Sequence, residues 1–514
     1  MKGFSSPIIP IFLIIGFTVL FFSMKALETR HRYNRLRIGY PAYWGSLIPP
    51  LQHTLYGAAL IENQFEPLVR RGRNGLIEPL AAKSWSISED FRTFTFVIDT
   101  KRRFSDGSYL KADDFKRAWT NGLVLETKAA NHSLRDVLYK LDGFSDFEKT
   151  KQLTGVRVIA EDVLEVRFQS PFRIGLEQLS GKRLAVYKVS NGKYIGTGPF
   201  VMNEQNKIIY LTPNEYSQEK GNFREIQVLA IDSDEVQSAF KRDQIDIFAF
   251  ADTPGITICN NEVTNVVCAT GEESSHRILD VNGLPGRLFS NKHHRLALQS
   301  LIAKDVLNKK TSYELPPHIF KSDLQVYLPF QHGRISDETL NLIVAEGDQH
   351  INEMVTATKT TPIYYITAVP TKWPMTLLQA NGVKFTSNSG QVDLKSRFTM
   401  LYKTFEPDLI MGGFAVVNTD PDGLYHVLGK NGAIFSPMTY RKTIGNLLEE
   451  GRAITDITKL HSHYKEVSEA ILREVPFVHL GYTYGAFAYR EDRVSISDTI
   501  RTRNDYRFNI FSPK

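Results

Sequence analysis

The chain alternates between stretches in which apolar residues occupy every second position and stretches in which they recur every three or four positions. Thr93–Ile98 alternates polar and apolar side chains, which predicts a half-buried strand. A turn is expected at Ser105–Gly107, because Gly107 tolerates the positive φ that such a turn requires. Asp113 and Asp114 then place carboxylates where a helix N-terminus carries free N–H groups and a positive dipole. This segment therefore predicts a strand, a turn and a helix in succession.

The same two periodicities predict further elements. Helices are predicted at 112–123, 131–141, 234–242, 294–302 and 462–474. Strands are predicted at 36–40, 93–98, 156–159, 163–168, 244–248, 277–282, 363–367, 409–417 and 475–482. The sequence contains no internal repeat and no low-complexity tract. At 514 residues the chain is long enough for two or three domains, each with its own core.

The N-terminus is strongly apolar. No charged residue falls between Lys2 and Lys25, a span of 22 residues that would measure roughly 33 Å as a helix and could cross a bilayer. The span could be a cleaved signal peptide or a retained anchor. Ser23–Ala26 makes a poor cleavage site, and no cysteine follows that could carry a lipid, so we expect a retained membrane-anchoring helix within residues 1–25.

The charges that flank this span indicate its orientation in the membrane. Five basic residues follow it, against Lys2 and the amino terminus before it: Lys25, Arg30, Arg32, Arg35 and Arg37. A strict positive-inside count would keep the body of the protein in the cytoplasm.

Composition and motifs exclude several classes of function. The net charge of +6 is spread over 62 basic and 56 acidic side chains, without a basic block or a nucleic-acid-binding signature, so no nucleic-acid partner is expected. Nucleophile elbows, zincin helices, phosphate loops and dinucleotide fingerprints are absent from the sequence, and the Gly-rich GTGP at 196–199 lacks the Lys-Ser/Thr of a phosphate loop. We therefore expect neither an enzyme nor a cofactor.

Histidines and cysteines give little sign of a metal site. His461 and His463 are two positions apart on a predicted helix and face different directions. His293 and His294 stand at a helix start, where a solvated cap is the simpler interpretation. The two cysteines, Cys259 and Cys268, are either buried thiols or, if the body lies outside the cytoplasm, a disulfide.

One segment resembles a known family. The sequence RRFSDGSYLKADDFKRAW at 102–119 is similar to the F-S-D-G-x-x-L-x-A-x-D-F/V segment of the family 5 solute-binding proteins, the oligopeptide- and dipeptide-binding receptors of ABC importers. Further similar patches follow in the family's order, which is the specific part of the resemblance. They lie at 193–202, 244–248, 291–305, 413–423 and 475–482.

The resemblance implies an α/β fold of the two-lobed periplasmic-binding-protein type (type II, with an extra inserted subdomain), preceded by the N-terminal hydrophobic helix. Lobe I would comprise residues 36–60, 190–270 and 485–514. The inserted subdomain would cover 61–189, and lobe II would cover 271–484. The chain would thus cross a hinge twice.

The segment Gly413–Gly423 is the one expected to touch a ligand. It resembles the family's G-W-x-x-D-Y-x-D-P loop, but the first acid, which grips a peptide's amino terminus in peptide-specific members, falls on Val417. A buried ammonium without a partner carboxylate costs several kcal/mol, so the signature for free peptide amino termini is missing. The other cleft candidates are aromatic or polar residues at strand ends and in this loop. The predicted ligand-binding residues are Tyr43, Trp44, Phe414, Asn418, Asp420, Tyr482 and Tyr484.

The function implied by the resemblance is that of a solute-binding receptor of an ABC-type importer. It would bind a peptide or other small solute by lobe closure and present it to a permease in the inner membrane. Its place would be the periplasmic face of that membrane, where it would be N-terminally anchored or secreted. The alternative, favoured by Val417 and the basic flank, is a membrane-tethered regulatory or scaffolding protein that keeps the fold without a transport role.

Overall fold

The computed structural model describes fourteen ranges of the chain. They are residues 34–40, 44–52, 54–72, 76–128, 134–232, 235–249, 263–307, 320–322, 334–367, 372–391, 405–414, 421–429, 441–496 and 507–514.

Strands and helices are interspersed along these ranges. The strands are β1 Arg35–Tyr40, β2 Val69–Arg71, β3 Ile77–Pro79, β4 Ala82–Ile87, β5 Thr93–Ile98, β6 Val156–Ala160, β7 Val163–Arg167, β8 Lys188–Ser190, β9 Lys193–Ile195, β10 Phe200–Gln205, β11 Ile208–Pro213, β12 Glu225–Ala230, β13 Ile247–Ala249, β14 Val266–Val281, β15 Phe320–Ser322, β16 Tyr365–Thr367, β17 Gly390–Gln391, β18 Leu409–Phe414, β19 Phe477–Arg490, β20 Val494–Ile496 and β21 Phe511–Pro513. The α-helices are α1 Leu55–Ile61, α2 Ala112–Lys128, α3 Arg135–Leu138, α4 Phe147–Thr150, α5 Gly175–Leu179, α6 Val236–Lys241, α7 Lys292–Leu307, α8 Asp337–Asp348, α9 Ile351–Thr360, α10 Met375–Ala380, α11 Tyr425–Leu428, α12 Arg441–Gly451 and α13 Ile457–Glu474.

Most strands join one mixed sheet. Eleven strands take part, in the order β10-β11-β12-β1-β13-β19-β14-β18-β16-β17, with β15 pairing to β19. The first strand, β1, lies parallel to both β12 and β13, so segments nearly 200 residues apart in sequence become neighbours. The two long strands β14 and β19 run antiparallel at the middle of this order and connect its two halves.

A separate antiparallel sheet carries its own core. Its strand order is β4-β5-β7-β6. Alternate residues of β5 are buried, among them Phe94, Phe96 and Ile98, and they pack with Phe115 and Trp119 of α2. This core contains buried residues from positions 61 to 195, and the predicted strand, turn and helix at 93–123 form part of it.

Further cores lie on either side of the long strand pair. Leu36, Ile38, Ile226 and Phe487 belong to one core, whereas Ile278 and Phe477 belong to another. Because β14 and β19 supply residues to both sides, they tie separately packed regions together. The domain boundaries given above remain a prediction.

Most of the predicted elements are confirmed, although several have different bounds. The strand predicted at 277–282 is the end of the much longer β14, and the helix predicted at 131–141 is described only at Arg135–Leu138. The turn at Gly107 has φ +84°, as expected. The hydrophobic helix predicted within residues 1–25 lies outside the described residues. Within the described ranges, every helix is too short or too polar to cross a bilayer.

Candidate functional site

The two long strands pair regularly at their ends and irregularly in the middle. Residues 266–270 of β14 pair with 486–490 of β19 in unbroken register, and residues 276–280 pair with 477–482 with one shift between Arg277 and Ile278. Between these runs the register shifts at Thr270/Glu273 and again at Glu273/Ser275. Irregular pairing removes ladder hydrogen bonds, which makes this the place where the two strands bend most easily. The family resemblance implies a hinge that the chain crosses twice, and β14 and β19, which connect the two halves of the large sheet, are the predicted hinge strands.

A buried aromatic cluster adjoins the irregular region. The ring of His276, on β14, stacks on Phe414 at 4.6 Å between centroids and lies 4.9 Å from the ring of Tyr482. The Nδ1 atom of His276 lies 3.0 Å from Nε2 of His479. All four side chains are 3–5% exposed. Two predicted ligand-binding residues, Phe414 and Tyr482, thus both contact the ring of His276.

Strand register explains how these residues meet. His276 lies opposite Phe414 of β18 on one side and Tyr482 of β19 on the other. A bulge follows, because Arg277 pairs with Gly481 whereas Ile278 pairs with His479. An extra residue in one strand shifts the alternation of side chains by one position. His479 and Tyr482, three positions apart, therefore both reach the His276 ring.

Burial sets the charge state of this cluster. Loss of solvent lowers the pKa of His276 well below its ordinary value, and the neighbouring His479 lowers it further. The His276 imidazole is therefore neutral at pH 7, and one nitrogen of the pair donates while the other accepts.

We expect this histidine pair to make stability fall in mild acid. Below pH about 6.5 the unfolded chain takes up a proton at His276 that the folded protein excludes, so the free energy of unfolding decreases as pH drops towards the folded pKa. The expected slope is about 1.4 kcal/mol per pH unit. Urea unfolding between pH 7.5 and 5 measures it. His276→Gln should flatten the slope, while His461→Gln, at an exposed histidine, should leave it unchanged; equal slopes in wild type and His276→Gln would contradict the assignment.

A second contact joins the region of the four-stranded sheet to helices α11 and α12. Tyr139 and Lys140 follow α3; Tyr425 is on α11, Glu449 is on α12 and Arg452 directly follows it. The Tyr139 and Tyr425 hydroxyls lie 2.6 Å apart, and Tyr139 also donates to Glu449 at 3.1 Å. Arg452 donates to the Tyr139 hydroxyl at 3.1 Å, and Lys140 pairs with Glu449. We call these five residues the Tyr139–Arg452 contact.

The Tyr139–Arg452 contact is buried and charged. Arg452 is fully buried, and its guanidinium lies 3.3 Å from the centroid of the Tyr425 ring. Burial raises the pKa of Tyr139 to about 12. Burial also acts to raise the pKa of Glu449, but the hydrogen bond and charge of Lys140 outweigh it and hold that pKa below its usual value. Hydrogen bonds and an ion pair therefore connect two segments that are about 300 positions apart in sequence.

Comparisons with known proteins agree with the sequence patches. The family model described as bacterial extracellular solute-binding proteins, family 5 Middle, matches residues 77–329. A dipeptide-binding protein of Bacillus subtilis is 27% identical over 173 residues, 31% of each chain, and a nickel-binding periplasmic protein of Escherichia coli is 27% identical over 222 residues, 40% of each. The aligned part thus spans less than half the length of these curated relatives. The resemblance to family 5 is confirmed.

Solved structures share the fold over almost the whole chain. A periplasmic oligopeptide-binding protein of Borrelia burgdorferi has a TM-score of 0.77 at 15% identity, covering 93% of this chain and 100% of that one. A periplasmic binding protein of Helicobacter pylori, in complex with the peptide STSA, has a TM-score of 0.72 at 17% identity, covering 95% and 99%. The fold is therefore that of a two-lobed periplasmic binding protein with mixed α/β content.

Within this fold, the predicted ligand-binding residues fall into three groups. Phe414 and Tyr482 lie together around His276. Trp44 is fully buried and packs in the core that contains β1. Tyr43, Asn418 and Asp420 lie outside the described residues, as does the side chain of Tyr484. Their part in binding stays a prediction.

Sequence reasoning missed the histidine pair and the Tyr139–Arg452 contact. Nothing local in the sequence marks His479, Tyr139 or Arg452 as part of a contact. A groove of about 540 Å³ between α12 and α13 is lined by seven residues of those helices: Thr443, Asn446, Leu447, Glu466, Glu469, Ala470 and Arg473. Because none of the hinge-strand residues lines it, we do not assign it to solute binding.

Proposed function

We propose that the protein is a solute-binding receptor of an ABC-type importer, which binds a peptide or peptide-like small solute by closure of two lobes. The observation that carries the proposal is the pair of adjacent strands, β14 and β19, that joins two separately packed regions and is irregular between them. A second support is the family match at 77–329. The names of two relatives, a dipeptide-binding protein and a nickel-binding periplasmic protein, support a receptor rather than an enzyme.

Closure would work as a population shift. Moving the hinge from mostly open to mostly closed takes about 5.5 kcal/mol of differential binding. The Tyr139–Arg452 contact spans the predicted inserted subdomain of lobe I and predicted lobe II, so it would form only in the closed arrangement and supply part of that energy. The solute would supply the remainder from within the cleft. Phe414 and Tyr482 are buried around His276, so they would support the wall of the cleft from behind.

The chemistry of the solute follows in part from Val417. An apolar residue stands where a carboxylate would hold a peptide's free ammonium. The proposed solute is therefore a peptide or peptide-like molecule whose recognition does not depend on a free amino terminus at this position, such as an N-blocked peptide.

A location outside the cytoplasm is supported by the family resemblance and by the state of one cysteine. Arg35 pairs with Glu225 at 2.8 Å, and Arg37 pairs with Asp246 at 2.8 Å, so these two basic residues belong to the folded β1. They still flank the apolar span, so the positive-inside count argues against this location. Cys268 is disulfide-bonded, which suits an oxidising compartment. Cys259, its only possible partner within the chain, lies outside the described residues.

The test pairs calorimetry with solution scattering. Peptides should be offered in matched free and N-acetylated forms, beside a metabolite library. We expect at least one solute to bind and to reduce the radius of gyration, and acetylation to leave affinity unchanged or improved. An alkaline phosphatase fusion after Asn34 should be active in a Gram-negative host. No binding and no compaction, or an inactive fusion, would instead favour the regulatory or scaffolding alternative.

A further inference from the structure

A cluster of histidines lies at the N-terminal ends of α7 and α9. His293 is in the first turn of α7, and His350 immediately precedes α9, which carries Glu353 in its first turn. The rings of His293 and His350 stack at 3.9 Å between centroids, with 4° between their planes. One ligand atom from each of His293, His350 and Glu353 can be chosen so that all lie within 4.8 Å of one another.

The neighbouring His294 supplies an independent observation. It is only 7% exposed, and its Nδ1 lies 3.0 Å from the carbonyl oxygen of Leu288. That oxygen can only accept, so Nδ1 donates to it and Nε2 is left for another partner. This Nε2 lies 3.4 Å from Oε1 of Glu353. The second ring nitrogen of the buried His294 is therefore directed at the carboxylate of the same cluster.

The surrounding structure holds the cluster in place. Asn291 donates to Oε1 of Glu353 at 3.3 Å and accepts from the backbone N–H of His293 at 2.9 Å. Gly347, just before His350, lets the helices approach closely, because a Cβ there would lie 2.3 Å from the carbonyl oxygen of Leu296. Such outer contacts are what fix the orientation of ligands in metal sites.

We propose that His293, His350 and Glu353 bind a divalent late first-row transition metal ion such as Zn²⁺ or Ni²⁺, with His294 as a further donor beside Glu353. Imidazole nitrogen with one carboxylate is a donor set that suits these ions. Ligand atoms on one Zn²⁺ lie roughly 3.3 Å apart, so the exposed His293 must rotate out of its stack and bring its lone pair towards His350. The positive ends of two helices oppose a cation here, and Glu353 supplies the compensating negative charge.

This site is separate from the proposed solute cleft. None of its residues is among the aromatic cluster of β14, β18 and β19 or the Tyr139–Arg452 contact. The interpretation of His293 and His294 as a solvated cap holds for the exposed His293 only, since His294 is buried.

Titration of the full-length, metal-free protein with Zn²⁺ alone, and in parallel with Ni²⁺ alone, tests the proposal by calorimetry. We expect one equivalent to bind. His293→Ala, His350→Ala and Glu353→Gln should each weaken binding at least tenfold, whereas His461→Ala, which removes another exposed histidine, should not. His293→Ala removes an exposed side chain and should fold as the wild type does, which circular dichroism checks. Solute binding should be unaffected by the same variants.

A crystal soaked in Zn²⁺ gives the direct readout. Anomalous scattering at the zinc edge should place the ion beside Glu353. The proposal is overturned if the ion lies elsewhere, if all variants bind as the wild type does, or if no metal binds.

Discussion

Replacing Arg452 by alanine is expected to lower the free energy of unfolding by roughly 3 kcal/mol and to shift the protein towards an open arrangement. Arg452 is fully buried, stacks on Tyr425 and donates to Tyr139. Its removal would leave a void against the Tyr425 ring and would take away a positive charge near Glu449. Chemical unfolding measures the stability, and solution scattering measures the opening.

Two further variants separate the contributions. Arg452→Lys keeps the charge but loses the planar group that stacks on Tyr425, so we expect an intermediate loss. Tyr139→Phe keeps the ring and removes the hydroxyl that touches Tyr425, Glu449 and Arg452, at a cost of about 1–2 kcal/mol.

The double variant Tyr139→Phe/Arg452→Ala tests whether the contact acts as a unit. Residues in one hydrogen-bond network show coupling energies of about 0.5–3 kcal/mol, so the combined loss should be smaller than the sum of the single losses. Strict additivity, or an unchanged radius of gyration in Arg452→Ala, would contradict a role for this contact in lobe closure. In that case the contact would be a static packing feature.

Local elements could be predicted from the sequence because their causes are local. The strand at Thr93–Ile98 follows from its alternation, and the helix at Ala112–Lys128 follows from its acidic first turn and its spacing of apolar residues. The fold class came instead from the order of short patches, none of which is specific alone. That order was enough, because the patches lie at the strand and helix joints that the shared fold requires.

The sites could not be predicted in the same way, because their partners are far apart along the chain. His276 and His479 are 203 positions apart, and Tyr139 and Tyr425 are 286 apart. The bulge that turns His479 towards His276 depends on the pairing of β14 with β19 and leaves no mark on the sequence of β19 itself. Phe414 and Tyr482 were predicted as ligand-binding residues from their position in the resembled fold, and the structure places both beside His276. Their part in ligand binding stays a prediction.

The role of Arg37, one of the basic residues after the apolar span, could not be predicted without its partner Asp246. In sequence, Arg37 is one of five positive charges beside a predicted membrane helix. In the structure it lies in β1 and makes a salt bridge with Asp246. Arg37 therefore contributes to the stability of the folded body as well as to the positive charge that flanks the apolar span.

Asp246→Asn is expected to lower the free energy of unfolding by about 3–5 kcal/mol. Asp246 is 3% exposed, and its carboxylate accepts from the backbone N–H of Arg37 at 2.9 Å, from the Arg37 side chain at 2.8 and 3.0 Å, and from Arg493 at 3.1 Å. Asparagine has the same shape but carries no charge and turns one acceptor into a donor, so two guanidinium groups would face an amide in a buried place.

The matched control is Glu225→Gln, which removes the partner of Arg35 on the neighbouring pair of strands. Both side chains of that pair are partly exposed, so solvent screens it and the expected loss is below about 1 kcal/mol. Equal losses in the two variants would contradict the argument from burial. The contrast matters for the proposed function. The hydrogen bonds of Asp246 to Arg37 and Arg493 join β1, the segment before β13 and the segment after β19. They would therefore hold one end of β19 in place while the other half of the sheet moves.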